Sequence, residues 1–308
     1  MKDKRKISII VPAYNEEDNI SLLVEKTREM IDESGLDCEL VIVDDGSTDS
    51  TYERIVECEK KHDFVESVRH RRNFGKTRAL LNGLERSRGE ILVLLDADLQ
   101  YQPKDIPKLV HEISKGFDVV AGWKSGKYQK QLVSSIYNRL SRWLFDIPVH
   151  DQNAVKAFKR EILEELPLRK DWHRYIIALA RDRGYRISEV RVELHPRRFG
   201  TSKYGGSWRI AIGVLDMIAV KFQLSFMRKP MLLFGTVGGI FLTVGVVAGI
   251  VALYLRFGLG RGLSYLLYLV VLLILAGLSL FALGFLAEAI AHVSERIARL
   301  EEKLFRKE

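Results

Sequence analysis

Short apolar runs and longer runs with helical spacing alternate along the first hundred residues. The short runs have the length and flanking turn residues of buried strands, whereas the longer runs repeat their apolar side chains every three or four positions, as amphipathic helices do. The predicted strands are 7–11, 39–43, 65–69 and 90–95, and the predicted helices are 19–34, 51–62 and 76–87. This alternation predicts an α/β domain with a doubly wound, mainly parallel sheet.

Two uninterrupted apolar runs occupy the last third of the chain. Met231–Leu255 and Leu263–Ala287 each contain about 25 residues without a charge, enough at 1.5 Å per residue to cross a bilayer core of about 30 Å. Buried helices of a soluble core are the alternative. The composition predicts four segments. They are a soluble domain (1–207), an amphipathic juxtamembrane helix (208–229), two transmembrane helices (230–288, spanning about 231–255 and 263–287) and a charged C-terminal helix (289–308).

Basic residues exceed acidic residues and gather at the outer ends of the two apolar runs. The chain has 48 Lys and Arg against 40 Asp and Glu, a net charge of +8 at pH 7. By the positive-inside rule, this predicts an integral membrane protein with both termini and the soluble domain in the cytoplasm. The charge suits an anionic membrane surface and anionic substrates. Nucleic acid is not predicted as a partner, because the membrane segments account for much of the basic excess.

Neither a leader sequence nor a disulfide framework is predicted. The apolar run after the basic first six residues ends at Pro12, which makes it too short for a signal peptide. Cys38 and Cys58 lie far apart and form no CxxC pair, so we expect reduced thiols in a cytoplasmic domain.

The segment Asp96-Ala97-Asp98-Leu99-Gln100 directly follows the predicted strand 90–95. Ligands of open α/β sheets bind at the carboxyl ends of the strands. Carboxylate and amide oxygens at that position suit a hard divalent cation such as Mg²⁺ or Mn²⁺, which commonly holds the phosphates of a substrate as well. A solvated acidic turn is the alternative for a DxD sequence taken alone.

Two other polar segments follow predicted strands in the same way. Residues 9–17 read IIVPAYNEE and residues 43–49 read VDDGSTD. In order with the DADLQ segment, they resemble the motifs of inverting family 2 glycosyltransferases with a GT-A fold. The nearer resemblance is to polyprenyl-phosphate hexose synthases, such as dolichyl-phosphate mannose synthases and undecaprenyl-phosphate glucosyltransferases. It includes RNFGK (72–76), RFGTSKY (198–204) and RKP (228–230).

This resemblance implies an activity and a cofactor. The expected reaction is inverting transfer of one hexose, mannose or glucose, from a UDP- or GDP-sugar to a polyprenyl phosphate at the cytoplasmic membrane face. The implied cofactor is Mg²⁺ or Mn²⁺ bound by Asp96, Asp98 and Gln100, where the cation neutralises charge on the leaving nucleoside diphosphate. Tetramers occur among such enzymes, so a homo-oligomer is a further possibility.

The resemblance also assigns residues to the nucleotide. The segments after the first and second strands would contact the nucleoside, and RNFGK would lie nearby. The expected nucleotide-binding residues are Pro12, Tyr14, Asn15, Glu16, Asp44, Asp45, Gly75, Lys76, Asp96 and Ala97. Simple turn chemistry with Gly46 is the alternative for the two adjacent aspartates, and a surface loop is the alternative for RNFGK.

The acceptor half resembles the family through HDQN (150–153) and KAFKR (156–160), which stand one residue closer together than in the family pattern. Asp151 is expected near the sugar, with a helix N-cap as the alternative. In WHRY (172–175), Arg174 suits a phosphate, and His173 is expected to be structural. The expected catalytic residues are Asp98, Asp151 and Arg174. The expected lipid-phosphate residues are Lys124, Asn138, Arg174, Arg198, Ser202 and Lys203.

The implied chemistry needs little acid–base catalysis. The second pKa of a phosphate monoester is about 6, so the lipid acceptor is largely a dianion at neutral pH and already a nucleophile. Positioning and electrostatic stabilisation are then expected to supply most of the rate enhancement. Direct attack on the anomeric carbon implies inversion.

Two other functions stay open at this point. A processive polysaccharide synthase would carry a QxxRW motif and more spans, but RLSRW (139–143) has Arg139 where Gln is needed. A non-catalytic membrane scaffold with a relic nucleotide site is opposed by the intact carboxylate pair. The residues do not specify the sugar, the nucleotide base or the length of the lipid.

Overall fold

The computed structural model describes residues 7–125, 131–197, 208–225, 229–260 and 264–305. The chain divides into two compact units, Met1–Arg209 and Ile210–Glu308. The first unit contains the predicted strands and the polar motifs, and the second contains both long apolar runs.

The first unit is built on a seven-stranded sheet. Its strands are β1 (Ile7–Ala13), β2 (Cys38–Asp44), β3 (Val65–Arg69), β4 (Ile91–Leu94), β5 (Val119–Ser125), β6 (Lys156–Lys159) and β7 (Ile187–Glu193). Their spatial order is β3-β2-β1-β4-β6-β5-β7. Neighbouring strands are parallel, except that β6 runs antiparallel to both β4 and β5.

Helices connect these strands. They are α1 (Glu17–Ser34), α2 (Thr51–Lys61), α3 (Lys76–Arg86), α4 (Ile106–Ser114), α5 (Gln131–Phe145), α6 (Arg160–Glu165) and α7 (Ile176–Asp182), with 3₁₀ turns at Pro103–Asp105 and Trp172–Tyr175. Side chains of β2 are buried at every position, as expected for a strand with both faces covered. Helix α1 buries Ile20, Leu23 and Val24, which the helical spacing places on one face.

The topology brings several chain segments to one edge of the sheet. The chain order reverses beside β1, since β2 and β3 lie on one side of it and β4 lies on the other. Such a switch point is where open α/β sheets form a ligand crevice. Strand β6 begins at the same edge, because its first residue, Lys156, pairs with Leu94 near the end of β4 and with Ala121 of β5.

The described residues of the second unit are almost all helical. It contains most of α8 (Trp208–Ser225), then α9 (Pro230–Leu253), a π-helical turn (Tyr254–Gly258) and α10 (Ser264–Phe305). Two helical stretches, Pro230–Gly258 and Ser264–Ser294, are long and apolar enough to cross a membrane. A Cβ added at Gly238 would lie 2.8 Å from the carbonyl oxygen of Gly277, so α9 and α10 approach closely at small residues.

The predicted α/β fold with a mainly parallel sheet is confirmed, and β3 has the predicted bounds. Two features differ from the predictions. The antiparallel strand β6 was not predicted, because it is too short to show the apolar–polar alternation of a strand in the sequence. The charged stretch after residue 288 is not a separate helix, because α10 continues without a break through it to Phe305. The location of α8 at a membrane interface stays a prediction.

Candidate active site

A cavity of about 180 Å³ lies at the sheet edge where β1, β2 and β4 end. Segments after these strands and the start of α3 form its wall. The lining residues are Pro12, Ala13, Tyr14, Glu16, Asp45, Asn73, Gly75, Lys76, Asp96, Ala97, Asp98 and Arg197. The fold therefore brings together every predicted nucleotide-binding residue except Asn15 and Asp44.

The carboxylate of Asp45 fastens the loop before α3. It accepts hydrogen bonds from the backbone N–H groups of Phe74 at 2.9 Å and Gly75 at 2.8 Å. Gly75 has φ +92°, a conformation that glycine adopts far more readily than other residues. Asp45 thus fixes the backbone that leads to Lys76 and to the N-terminus of α3, which favours negative charge.

A buried histidine, His70, forms a hydrogen bond with the carboxylate of Asp45. His70 Nδ1 lies 2.7 Å from Asp45 Oδ1, and the Asn82 amide donates to His70 Nε2 at 2.9 Å. Nδ1 is therefore the ring nitrogen that donates to Asp45. The preceding turn packs closely on the same loop, because a Cβ at Gly46 would lie only 2.6 Å from the Cα of Arg72.

The two predicted nucleotide-binding residues outside the cavity organise the turn after β2. Asp44 is fully buried, accepts the backbone N–H of Ser47 at 3.0 Å, and has the Arg69 guanidinium 3.6 Å away. The Asn15 side chain accepts the backbone N–H of Thr48 at 2.9 Å, and Asn15 itself has φ +52°. A nucleotide contact for either residue stays a prediction.

Asp96 and Asp98 line the cavity just beyond β4, and each is paired with a basic side chain. Lys76 pairs with Asp96, and Arg197 Nη2 lies 2.6 Å from Asp98 Oδ2. Asp98 also accepts the backbone N–H of Gln100 at 3.1 Å. Gln100 does not line the cavity, so the structure places two of the three predicted metal ligands there.

The two carboxylates differ in their tendency to ionise. Burial opposes ionisation of Asp96, but the Lys76 ammonium outweighs it and lowers the pKa of Asp96. Burial, together with the negative charge of Asp96, raises the pKa of Asp98. A further positive charge between them would favour ionisation of both groups.

This donor set fits a divalent cation that is completed by a substrate. Within the described ranges, no group of three or more His, Cys, Asp or Glu side chains is arranged to enclose a metal ion. Mg²⁺ and Mn²⁺ do not need such an enclosure, since Mg²⁺ typically binds one or two carboxylates together with substrate phosphates and water. Asp96 and Asp98 are the residues that would hold it.

Asp151, predicted to be catalytic, pairs with a lysine and does not line the cavity. Lys124 Nζ lies 2.8 Å from Asp151 Oδ2, and the backbone N–H of Asn153 donates to Oδ1 at 2.9 Å. The preceding His150 stacks on Trp123, with 4.1 Å between ring centroids. Asp151 is only 2% exposed, so it is placed to hold Lys124, a predicted phosphate ligand.

Lys156 and His173 are buried beside this ion pair and the cavity. Burial lowers the pKa of Lys156 to about 8, helped by the charge of Lys76 and opposed by Asp96 and Asp151. The Thr77 hydroxyl lies 2.9 Å from His173 Nδ1. Burial and then the charges of Lys76, Lys156 and Arg174 hold the pKa of His173 well below its ordinary value, so this histidine is neutral at pH 7.

The remaining predicted acceptor residues differ in how much the structure says of them. Arg174 is half-buried and close enough to lower the pKa of His173. Asn138 is buried in α5, where its Oδ1 has no hydrogen-bond partner within the part of the chain described. Three predicted residues lie outside the described residues, namely Arg198, Ser202 and Lys203.

Sequence reasoning assigned no individual role to Ala13, Asn73 and Arg197, which line the cavity, or to Lys156 and His70, which lie beside it. Arg197 is adjacent to the predicted Arg198, and its basic neighbourhood was a usable signal. Lys156 opens the KAFKR segment, but nothing in the sequence shows that its ammonium is buried. His70 gave no signal, because its contact with Asp45 depends on the parallel pairing of β2 and β3.

Comparison with known proteins identifies the family. The profile of glycosyl transferase family 2 matches residues 8–167. A dodecaprenyl-phosphate galacturonate synthase of Rhizobium johnstonii is 32% identical, over 94% of this chain and 89% of that protein. An undecaprenyl-phosphate 4-deoxy-4-formamido-L-arabinose transferase of Pseudomonas aeruginosa is 30% identical, over 92% of this chain and 84% of that protein.

Solved structures share the fold of much of this chain. A glucosyl-3-phosphoglycerate synthase of Mycobacterium tuberculosis, crystallised with Mn²⁺, UDP and glucosyl-3-phosphoglycerate, superposes with a TM-score of 0.57 at 23% identity. The match covers 71% of this chain and 80% of that one. The predicted GT-A-like fold is confirmed by this likeness. The chain belongs to glycosyl transferase family 2 and is a glycosyltransferase.

Proposed function

We propose that this protein transfers a sugar from a nucleotide sugar to a polyprenyl phosphate at a membrane surface. One observation carries the proposal: a carboxylate pair, a lysine and a helix N-terminus converge on one cavity in a chain with two helices long enough to span a bilayer. The named relatives act on dodecaprenyl and undecaprenyl phosphates, and they match almost the full chain.

The donor side follows from the cavity. Asp45 orders the loop whose backbone borders the diphosphate position, and Lys76 with the start of α3 supplies positive charge there. A Mg²⁺ or Mn²⁺ ion held by Asp96 and Asp98 would supply further charge stabilisation for the leaving nucleoside diphosphate. The Mn²⁺ and UDP bound by the M. tuberculosis enzyme support this assignment of cofactor and ligand.

The acceptor side follows from the cluster next to the cavity. Lys124, held by Asp151, and the half-buried Arg174 are suited to bind the lipid phosphate through charge-assisted hydrogen bonds. The phosphate dianion attacks the anomeric carbon directly, so the configuration at that carbon inverts. We propose that the enzyme faces the cytoplasm, with both termini there. The homo-oligomer stays a prediction.

The sugar expected from the motifs differs from the sugars that the named relatives transfer. Mannose or glucose was expected from the motifs, whereas the named relatives carry galacturonate and 4-deoxy-4-formamido-L-arabinose. The donor set to be tested therefore includes neutral hexoses and a uronic acid. Both UDP and GDP donors need testing as well.

A transfer assay tests the proposal. Purified full-length protein in detergent is incubated with Mg²⁺ or Mn²⁺, undecaprenyl phosphate and radiolabelled UDP-glucose, UDP-galacturonate or GDP-mannose. We expect label in the organic phase with one donor, and loss of that label when EDTA is added. Folded protein that gives no lipid-extractable label with any donor or polyprenyl phosphate would contradict the proposal.

Processive polymer synthesis receives no support from the structure. The Trp143 side chain of RLSRW is 79% exposed on α5 and does not line the cavity. Label in a water-soluble polymer, in place of the lipid, would nevertheless favour a polymer synthase.

A further inference from the structure

Lys156 carries a buried charge that the proposed roles of its neighbours leave unexplained. Its side chain is almost completely buried, with only 3% of the residue exposed. In the part of the chain described here, the ammonium has one hydrogen-bond acceptor, the carbonyl oxygen of Ala154 at 3.1 Å. An ammonium has three N–H donors, and a buried charge without good partners is costly.

The position of Lys156 shows where a missing acceptor would lie. The residue pairs with Leu94 and Ala121, two strand neighbours at the ligand edge of the sheet. The charges close enough to influence it are Lys76 and Asp96, at the cavity, and Asp151, beside the acceptor residue Lys124. Its ammonium therefore lies between the donor and acceptor halves of the site.

Both nearby carboxylates are paired with lysines other than Lys156. Asp96 pairs with Lys76, and Asp151 pairs with Lys124 at 2.8 Å. His173 cannot offer an opposite charge, because an imidazole is either neutral or cationic, and its Nδ1 is hydrogen-bonded to Thr77. Among the residues that the structure describes, this buried cation thus has no ion-pair partner of its own.

We infer that the Lys156 ammonium binds an anionic oxygen of a substrate at the junction of the two halves of the site. This inference rests on the proposed function. The oxygen belongs either to the lipid phosphate or to a carboxylate on the transferred sugar, and both offer the same charged acceptor to an ammonium. The pKa of Lys156 is lowered to about 8, so the group is largely a cation at pH 7, and a bound anion would stabilise that charged form.

Binding measurements on full-length protein separate the two sources. We compare wild type with Lys156→Met, which keeps the length of the side chain, and with Lys156→Arg, which keeps the charge. Lys159→Met is the matched control, because Lys159 is on the same strand but pairs with Asp118 at 2.6 Å. The probes are UDP with Mn²⁺, UDP-glucose, UDP-galacturonate and the short acceptor farnesyl phosphate, titrated by calorimetry.

We expect Lys156→Met to bind UDP within about twofold of wild type and to lose about ten- to a hundredfold in one other arm. Loss of farnesyl phosphate affinity assigns the oxygen to the lipid. Loss of affinity for UDP-galacturonate, with UDP-glucose unchanged, assigns it to a sugar carboxylate. Lys156→Arg should retain part of the lost affinity, and Lys159→Met should bind every probe as wild type does.

Thermal unfolding measurements show whether a loss of affinity in Lys156→Met comes from a loss of stability. Since Lys156→Met removes a poorly partnered buried charge, we expect its unfolding temperature to equal or exceed that of wild type. The inference is overturned if Lys156→Met loses as much affinity for UDP as for the other probes, or if it loses affinity for none of them. Failure of the proposed function is a separate result, because it appears as wild-type protein that transfers no sugar in the assay above, whatever the Lys156 variants bind.

Discussion

The two halves of the active site are held in place by different forces. On the donor side, Asp45 receives two backbone N–H groups and a histidine, so hydrogen bonds between nearby loops fix the cavity wall. On the acceptor side, the half-buried Lys124 pairs with the buried Asp151, and Lys156 is buried near them. The ionisation of each group in this cluster depends on the charges of the others, which change with pH and with bound ions.

This difference predicts different responses to substitution. A loop fixed by hydrogen bonds loses its shape when an acceptor is removed, so the affinity for the nucleotide should fall. A cluster of buried charges keeps its shape when one charge is removed, but the ionisation of its neighbours changes. The acceptor half should therefore respond mainly through its pH dependence.

The largest effect is expected in the donor cavity, at Asp98. Asp98→Asn removes one of two carboxylates suited to a divalent cation, and we expect transfer to fall at least about a hundredfold. Because burial and Asp96 raise the pKa of Asp98, the substitution should leave the unfolding temperature equal or higher. The label in lipid extract measures transfer, and calorimetry with Mn²⁺ and UDP measures cation-dependent binding.

The control for Asp98→Asn is Asp118→Asn, which also removes a largely buried, ion-paired carboxylate but lies outside the cavity. We expect it to transfer sugar at the wild-type rate per folded molecule. Full activity of Asp98→Asn, with unchanged dependence on Mn²⁺, would remove Asp98 from the metal site.

The next effect is expected at Asp45. Asp45→Asn weakens the hydrogen bonds to Phe74 and Gly75, and bonds to charged groups contribute about 1.5–3 kcal/mol each. We expect the KM for the nucleotide sugar to rise about tenfold or more, with a smaller change in kcat. Glu59→Gln is the control, since Glu59 also accepts a backbone N–H, that of Ser67, but away from the cavity. A change in kcat with constant KM would argue against the loop-ordering role.

A smaller effect is expected at Asp151, and it should depend on pH. The charge of Asp151 raises the pKa of Lys156, so Asp151→Asn should lower that pKa below about 8. Lys156 would then lose its proton at a lower pH, and the alkaline limb of the rate profile should shift toward neutral. We also expect about a tenfold loss of activity at pH 7, because Lys124 loses its partner.

The double variant Asp151→Asn with Lys156→Arg tests the origin of this shift. Arginine stays protonated over the whole range, so the alkaline limb should return toward high pH. If the limb stays shifted in the double variant, a group other than Lys156 is responsible.

The smallest effect is expected in stability, at His173. Its pKa is depressed in the folded state, so below the unfolded value of 6.5 the unfolded chain binds more protons than the folded chain. Stability should therefore fall as the pH drops below 6.5, by up to about 1.4 kcal/mol per pH unit. His173→Gln should lose less unfolding temperature than wild type between pH 7 and pH 5.5. Equal losses in both proteins would show that His173 is not the responsible group.

The sequence by itself determined the family, the fold class and most of the donor side. Strand runs followed directly by polar motifs predict the sheet and its ligand edge, because parallel strands end together and each motif lies at the end of its own strand. The resemblance of these motifs to family 2 glycosyltransferases assigned Pro12, Tyr14, Glu16, Lys76, Asp96 and Asp98 to the site, and all of them line the cavity. The long apolar runs directly predicted helices able to span a membrane, because the thickness of the bilayer core sets the length that such a helix needs.

Only the tertiary structure decided which side chains are buried together. The antiparallel strand β6 brings Lys156 to the sheet edge next to Leu94, and the pairing of β2 with β3 brings His70 to Asp45. Asp44 and Gln100 were predicted as ligands, yet neither lines the cavity. The physical reason is that burial and partner choice depend on contacts between residues far apart in the chain, whereas a motif records only the order of its neighbours.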